Sequence, residues 1–365
     1  MKAKLPQINL LMSVTGKCNL ACSYCYVNKK SDVNMPENLL ENITKKALNE
    51  FKKVIFIWHG TEPTMRGIDF FKSAVEFQKK YSFNNEIENQ IQTNLTLFDK
   101  NWIKFAKDSG FMVNFSYDGK NANELTRPGS TKQIFNNLSL LQAEGIFPSC
   151  NVVISQTNIN NLIDINNELT KEHNVSFYMN PAYNYHNKKT SIFIPAEKYA
   201  EAVNNMFNYW FNDQNASNTA QNKLCQSLLT SILRIKGVEN GKYVAQPASS
   251  YNKCTFNHCY GKFLGVLENG LVYPCDNFIS EKSCLGHVSS VENLSDFFRK
   301  DEFNNLIRSY HKTNEECMQI CKWYQLCNSG CPSHTRGKRK DPLCRAYQKI
   351  FSNVKSIVDN KIFGK

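Results

Sequence analysis

Six apolar, strand-like runs separated by amphipathic stretches occupy the chain up to residue 181, and this alternation limits the folds open to it. The runs are INLLMSVT (8–15), KVIFIWHG (53–60), NQIQTNLTL (89–97), FMVNFSYDG (111–119), PSCNVVIS (148–155) and NVSFYMNP (174–181). Between the first two, PENLLENITKKALNEF (36–51) sets Leu40, Ile43, Ala47 and Phe51 at spacings of three and four, with Pro36 where a helix starts. Residues 68–81, 100–110, 131–145 and 161–172 repeat the helical pattern, and 100–110 ends on a glycine. Strands alternating with helices predict a parallel sheet with right-handed crossovers. Six units predict an α/β fold built as a partial (β/α)6 barrel rather than a closed eight-fold one.

In parallel barrels, ligands bind at the C-terminal ends of the strands. Four distinctive stretches fall there: GKCNLACSYCYV (16–27), WHGTEP (58–63), QTN (92–94) and SYDG (116–119). The first places Cys18, Cys22 and Cys25 at C-x3-C-x2-C, followed by Tyr26. Three cysteines cannot close a four-coordinate zinc site, and no partner pair follows nearby. A four-iron cluster held by three thiolates keeps one iron open for a small molecule.

The chain has 365 residues and 14 cysteines. It shows no secretory signal and no apolar run long enough to span a membrane, which predicts a cytoplasmic protein. In a reducing compartment that many cysteines point to metal or catalysis rather than disulfides. The formal charge of +12 suits either an acidic partner or a solvated basic surface. Residues 196–236 read as helical. Beyond about 250 the cysteines become dense, and 263–275 reads as a hairpin turning at Glu268-Asn269-Gly270. Two domains are expected, 1–235 and 236–365, the second closing with a helix. Cys150 and Cys225 read as small core residues, and Cys284 is given no chemistry. The basic run 337–340 reads as a solvated loop.

The motif CNLACSYCY resembles that of the radical SAM enzymes. The resemblance implies a [4Fe–4S] cluster on Cys18, Cys22 and Cys25 whose open iron binds S-adenosylmethionine. It also implies a 5′-deoxyadenosyl radical formed when one electron cleaves the sulfonium. The HGTEP stretch is similar to the family's Gly-Gly-Glu-Pro segment, with Thr61 in place of the second glycine. This assigns Gly60, Thr61 and Glu62 to S-adenosylmethionine, Glu62 facing its amino group. By the same resemblance Tyr26 meets the adenine, and Asn94, Ser116 and Arg127 line the pocket. His59 faces the same rim.

The later cysteines resemble the SPASM pattern. Cys254, Cys259, Cys275 and Cys331 would hold a nearer auxiliary [4Fe–4S] cluster, and Cys317, Cys321, Cys327 and Cys344 a farther one. That makes three clusters in all. Cys317-x3-Cys321 carries one residue more than the usual C-x2-C and is expected in a loop. Two structural zinc sites are the alternative use of these eight thiols.

QTNLTLFDKNWIKFAKDSGFMVNFSYDG (92–119), GLVYPCDNFIS (270–280) and CKWYQLCNSGC (321–331) resemble the anaerobic sulfatase-maturating enzymes, which oxidise a cysteine or serine of a sulfatase to Cα-formylglycine. The resemblance implies a sulfatase-like protein or peptide substrate and a reducing donor such as flavodoxin or ferredoxin, with no membrane and no nucleic acid. It makes Asp276, directly after Cys275, the general base, with a raised pKa expected beside a cluster. Two other readings compete. One is a radical maturase of a ribosomally made peptide, installing a thioether or carbon–carbon crosslink or an epimerised residue. The other is a zinc-rich module that binds nucleic acid.

Overall fold

The computed structural model describes residues 4–27, 30–183, 192–213, 220–239, 256, 259, 261–335 and 340–364. In chain order the elements are β1 (Leu5–Ser13), α1 (Glu37–Glu50), β2 (Phe51–His59), α2 (Ile68–Tyr81), β3 (Glu86–Thr93), α3 (Lys100–Ser109) and β4 (Met112–Ser116). Next come α4 (Lys120–Thr126), α5 (Thr131–Ala143), β5 (Ser149–Ile154), α6 (Leu162–Asn167), β6 (Phe177–Pro181), α7 (Ala196–Asn212) and α8 (Lys223–Glu239). The chain closes with β7 (Phe263–Val266), β8 (Leu271–Tyr273), β9 (Gly286–His287), α9 (Asp301–Ile320), α10 (Tyr324–Cys327), α11 (Pro332–Thr335) and α12 (Cys344–Lys361).

Two compact units emerge. The first gathers Met1–Ser116, Arg127–Pro148 and Cys259–Arg308. In it β1 to β4 pair in sequence order, all parallel, with Leu10 opposite Phe56 and Ser13 opposite His59. On the other side of β1 lies β7, also parallel, with Asn9 opposite Phe263. The antiparallel strands β8 and β9 extend that edge. The hairpin expected at 268–270 is therefore present, but it does not start a separate domain. A strand that hydrogen-bonds to β1 belongs to the first unit, so the division interleaves the chain instead of cutting it at 235.

Helix α1 buries Leu40, Ile43, Ala47 and Leu48 along one stripe. Helix α3 opens under an Asp99 cap that accepts from the Asn101 and Trp102 amides, and it closes at Gly110 in the left-handed conformation. Trp58 is fully buried and stacks on Phe56 with ring centroids 5.6 Å apart. Its indole N–H donates to Asn89 Oδ1 at 3.0 Å, and Asn89 and Gln78 pair through their amides. These three polar side chains therefore satisfy one another inside the core.

The second unit gathers Tyr117–Thr126, Ser149–His258 and Ser309–Lys365. Its strands β5 and β6 are parallel, with Cys150 opposite Phe177. Cys150 and Cys225 are fully buried, as core residues should be. Two expectations change. The third strand stops at Thr93, not 97, because Leu95 takes φ +63° and turns the chain away. Cys317 is not in a loop: α9 runs through it, and the Cys321 amide bonds the Cys317 carbonyl at 2.9 Å. The extra residue converts the pair to i,i+4 spacing, which puts both thiols on one helical face. Cys254, residues 337–339 of the basic run and most of the Asn-rich stretch before α8 lie outside the described residues. Among the described residues, no helix is long and apolar enough to cross a membrane.

Candidate functional site

In the first unit, the cysteine loop leaves β1 and folds back on itself. Gly16 donates to the Val33 carbonyl at 2.8 Å and accepts from the Ser31 amide at 3.0 Å. A Cβ on Gly16 would stand 1.9 Å from Ser31 Oγ, so glycine is required for this close approach. Cys18, Cys22 and Cys25 follow, and the Cys25 amide donates to the Cys22 carbonyl at 3.1 Å. Burial pushes the Cys18 thiol up, and the neighbouring Glu62 and Cys25 add to the rise. Bound iron would supply the positive charge that favours thiolates at this site. The donor set fits a cluster held by three cysteines.

The loop after β2 is fastened to the cysteine loop at two points. The Glu62 amide donates to the Lys17 carbonyl at 3.1 Å, and the Thr61 hydroxyl donates to the Thr15 carbonyl at 2.5 Å. Thr61 therefore replaces a glycine with a tether. Gly60 has φ +111°, and a Cβ there would meet Ser13 Oγ at 2.6 Å.

Glu62 is only 1% exposed. Its Oε1 accepts from the Thr64 amide (3.1 Å), the Thr64 hydroxyl (2.6 Å) and the Thr93 hydroxyl (2.7 Å), and Oε2 accepts from the Asn94 amide (2.7 Å). Burial raises its pKa despite these bonds. A fixed carboxylate that is costly to ionise suits an ammonium ligand.

Asn94 turns its side chain the other way, donating to Asn19 Oδ1 at 2.8 Å. Ser116 accepts from Gln92 at 3.0 Å. Arg127 Nε donates to the Tyr24 hydroxyl at 2.7 Å, which braces the segment between Cys22 and Cys25. Asn19, Thr93 and Thr15 were missed in the sequence. Only Asn19 carried a signal, its place directly after Cys18.

The third feature is a line of polar groups. The Tyr26 hydroxyl lies 3.0 Å from His59 Nδ1, and His59 Nε2 lies 3.8 Å from Asp276 Oδ2. The Gly60 amide also points at His59 Nδ1. An amide N–H can only donate, so Nδ1 accepts and Nε2 carries the proton toward Asp276. Burial holds the His59 pKa below its ordinary value, with Asp276 opposing. Asp276 Oδ1 lies 3.0 Å from Cys275 Sγ.

In the second unit, Cys317, Cys321, Cys327 and Cys344 line one cavity with Lys340, Asp341 and Gln348. Burial pushes the Cys327 thiol up to about 12, helped by Asp341 and the other three thiols. None of these cysteines is in a disulfide. Four thiol donors around one cavity fit a fully ligated iron–sulfur cluster. Among the described residues, no three His, Cys, Asp or Glu side chains converge as the ligands of a single ion do. Of the other set of four, Cys259 and Cys275 belong to the first unit and the buried Cys331 to the second.

The sequence pattern of the radical SAM superfamily matches residues 12–167, the stretch that carries the cysteine loop, the Glu62 loop and strands β2 to β5. Over that stretch the chain is similar to the radical SAM superfamily. Within that class it resembles the anaerobic sulfatase-maturating enzymes. It is 28% identical to the cysteine-type anaerobic sulfatase-maturating enzyme of Clostridium perfringens over 95% of this chain and 96% of that protein. It is 26% identical to the serine-type enzyme of Bacteroides thetaiotaomicron over 97% and 91%. Among solved structures, native anSMEcpe with bound AdoMet superposes with a TM-score of 0.83 at 25% identity, covering 97% of this chain and 99% of that one.

Proposed function

We propose that the chain oxidises a cysteine or serine of a sulfatase-like polypeptide to Cα-formylglycine without oxygen. The observation that carries this reading is a carboxylate, Asp276, set beside Cys275 and aligned with His59 and Tyr26, in a chain that resembles sulfatase maturases from end to end. Cys18, Cys22 and Cys25 would hold the cluster that binds S-adenosylmethionine. Two auxiliary clusters would sit on Cys254, Cys259, Cys275, Cys331 and on Cys317, Cys321, Cys327, Cys344, giving three in all. When bound, these groups supply the adenosyl radical that takes a hydrogen from the target Cβ and a sink for the electron that leaves next. Asp276 takes the proton released by the target thiol or hydroxyl. Glu62 holds the amino group of S-adenosylmethionine. Gly60, Thr61, Asn94 and Arg127 fix the loops around it, and Ser116 marks the end of β4. A reducing donor such as flavodoxin or ferredoxin would supply the electron, and the reducing cytoplasm would suit so many cysteine thiolates.

The test is a mass spectrum. Reconstituted protein is incubated anaerobically with S-adenosylmethionine, a reductant and a peptide containing Cys-x-Pro-x-Arg. An aldehyde at the cysteine, with 5′-deoxyadenosine formed, supports the reading. In Asp276→Asn the aldehyde should fall by about 10²–10⁴-fold, the usual worth of a positioned base, while deoxyadenosine persists. Deoxyadenosine without aldehyde in the unaltered enzyme would move the assignment to a ribosomal-peptide maturase.

A further inference from the structure

Among the polar side chains that line the four-cysteine cavity of the second unit, Lys340 included, Asp341 and Gln348 have a fixed geometry that no step above uses. Asp341 is 4% exposed. Its Oδ1 accepts from the Leu343 amide at 2.8 Å, and its Oδ2 lies 2.9 Å from His334 Nδ1. An ionised carboxylate only accepts, so His334 carries its proton on Nδ1. Gly330 makes room for this arrangement: at φ +77° its position is open to glycine, and a Cβ would come within 2.9 Å of Asp341 Oδ2. The Tyr183 ring stacks on His334 and holds it from the far side. The carboxylate is thus fixed in place at the cavity wall. Gln348 approaches from α12. Its Nε2 donates toward Cys344 Sγ at 3.8 Å and Cys321 Sγ at 3.9 Å.

We propose that Asp341 and Gln348 set, with opposite signs, the reduction potential of the cluster on Cys317, Cys321, Cys327 and Cys344. This rests on the cluster assignment made under Proposed function. Reduction adds a negative charge to a cluster. A fixed carboxylate at the wall repels that charge and lowers the potential, and burial keeps salt from screening it. An amide N–H directed at two ligating sulfurs stabilises the added charge and raises the potential. His334 is a positioning residue: it orients the Asp341 carboxylate and carries no direct effect of its own. The two side chains place this cluster's potential between what either alone would give. That suits a group that must accept an electron and then release it to an oxidised carrier of the flavodoxin or ferredoxin kind.

The experiment is a redox titration of the reconstituted holoenzyme, followed by electron paramagnetic resonance. The step that belongs to the S-adenosylmethionine cluster is marked by its response to S-adenosylmethionine. In Asp341→Asn, which keeps the shape and removes the charge, one other step should move to a more positive potential. In Gln348→Leu the same step should move to a more negative one. His334→Gln should leave that step closer to the unaltered value than Asp341→Asn does. Unmoved steps, shifts of the same sign, or loss of the cluster from Asp341→Asn would overturn the proposal, the last by making Asp341 a scaffold residue. Iron content separates the two levels of the argument. If Cys327→Ala with Cys344→Ala loses no iron and no titration step, the cluster assignment itself fails. If iron and step are lost there but Asp341→Asn shifts nothing, only the tuning role fails.

Discussion

His59 bridges Tyr26 and Asp276, with Nδ1 3.0 Å from the tyrosine hydroxyl and Nε2 3.8 Å from the aspartate Oδ2. The second distance is longer than a hydrogen bond, and catalytic contacts tighten when substrate closes the site. His59→Leu removes the donor facing Asp276 and leaves the Gly60 amide without its Nδ1 acceptor. Product formation should fall about 10–100-fold, the equivalent of the roughly 1.5–3 kcal/mol of a hydrogen bond to a charged group. His59→Gln can still present an N–H and should recover most of that loss. Aldehyde and 5′-deoxyadenosine measured in parallel decide the point. Equal product from His59→Leu and the unaltered enzyme would make His59 a packing residue.

Glu62 gives a pH dependence with a definite sign. Its folded pKa is raised, mainly by burial. A raised carboxyl favours the neutral form in the folded protein. Its contribution to stability is therefore present below the unfolded carboxyl pKa and is lost as pH rises through the folded value. The ammonium of S-adenosylmethionine needs the ionised form. Its affinity should climb as pH rises through the raised Glu62 pKa and then level off, and calorimetry across acidic to neutral pH would follow the climb. Glu62→Gln should bind weakly with a flat profile. A parallel pH profile in that variant would mean that some other group carries the dependence.

The sequence made the fold legible where two signals coincided. Period-2 and period-3.6 patterning alternated, and the first four strand runs led into unusual motifs, so β1 to β6 were found in order. Their ends were misjudged because the ends are set by bonds between distant segments. Thr93 ends the strand and Asn94 leaves it, both bonding Glu62, and nothing local to 92–97 announces it. The compact units are set in the same way. The cysteine density near 259 predicts a new unit, but pairing of β7 with β1 is a contact across some 250 residues that local patterning does not carry. Cysteine spacing located the candidate ligands. Asp341 and Gln348 gave no signal, because a buried acid at the end of a loop and an amide on a helix look like solvated surface until the fold encloses them.

Gly60 offers a test of the loop that carries Glu62. It sits at φ +111°, where a side chain is strained, and a Cβ would be 2.6 Å from Ser13 Oγ and 2.9 Å from Ser13 Cβ. Gly60→Ala should cost about 1–3 kcal/mol through the backbone alone. Because Thr61 and Glu62 are tied to the cysteine loop, the strain should also reach the S-adenosylmethionine pocket. Thermal denaturation should show a lower midpoint, and S-adenosylmethionine should bind more weakly. An unchanged midpoint would mean that β1 and the loop shift apart at little cost.

Arg127 is held away from the role of a simple pocket charge. Its Nε donates to the Tyr24 hydroxyl at 2.7 Å, and its guanidinium lies 5.4 Å from the centre of the Tyr24 ring. Tyr24 stands between Cys22 and Cys25, so the arginine stiffens the segment that presents two of the three thiols. Lysine cannot reproduce a planar group that donates and stacks at once. Arg127→Lys should therefore speed the loss of iron from the cysteine loop to a chelator, followed as fading of the visible absorption in the absence of S-adenosylmethionine. A purely electrostatic role would predict the opposite: lysine keeps the positive charge, so iron retention would stay unchanged in Arg127→Lys and fall only when the charge is removed, as in Arg127→Gln. Comparing the two variants separates bracing from charge. The geometry at Tyr24 predicts that both lose iron at similar rates.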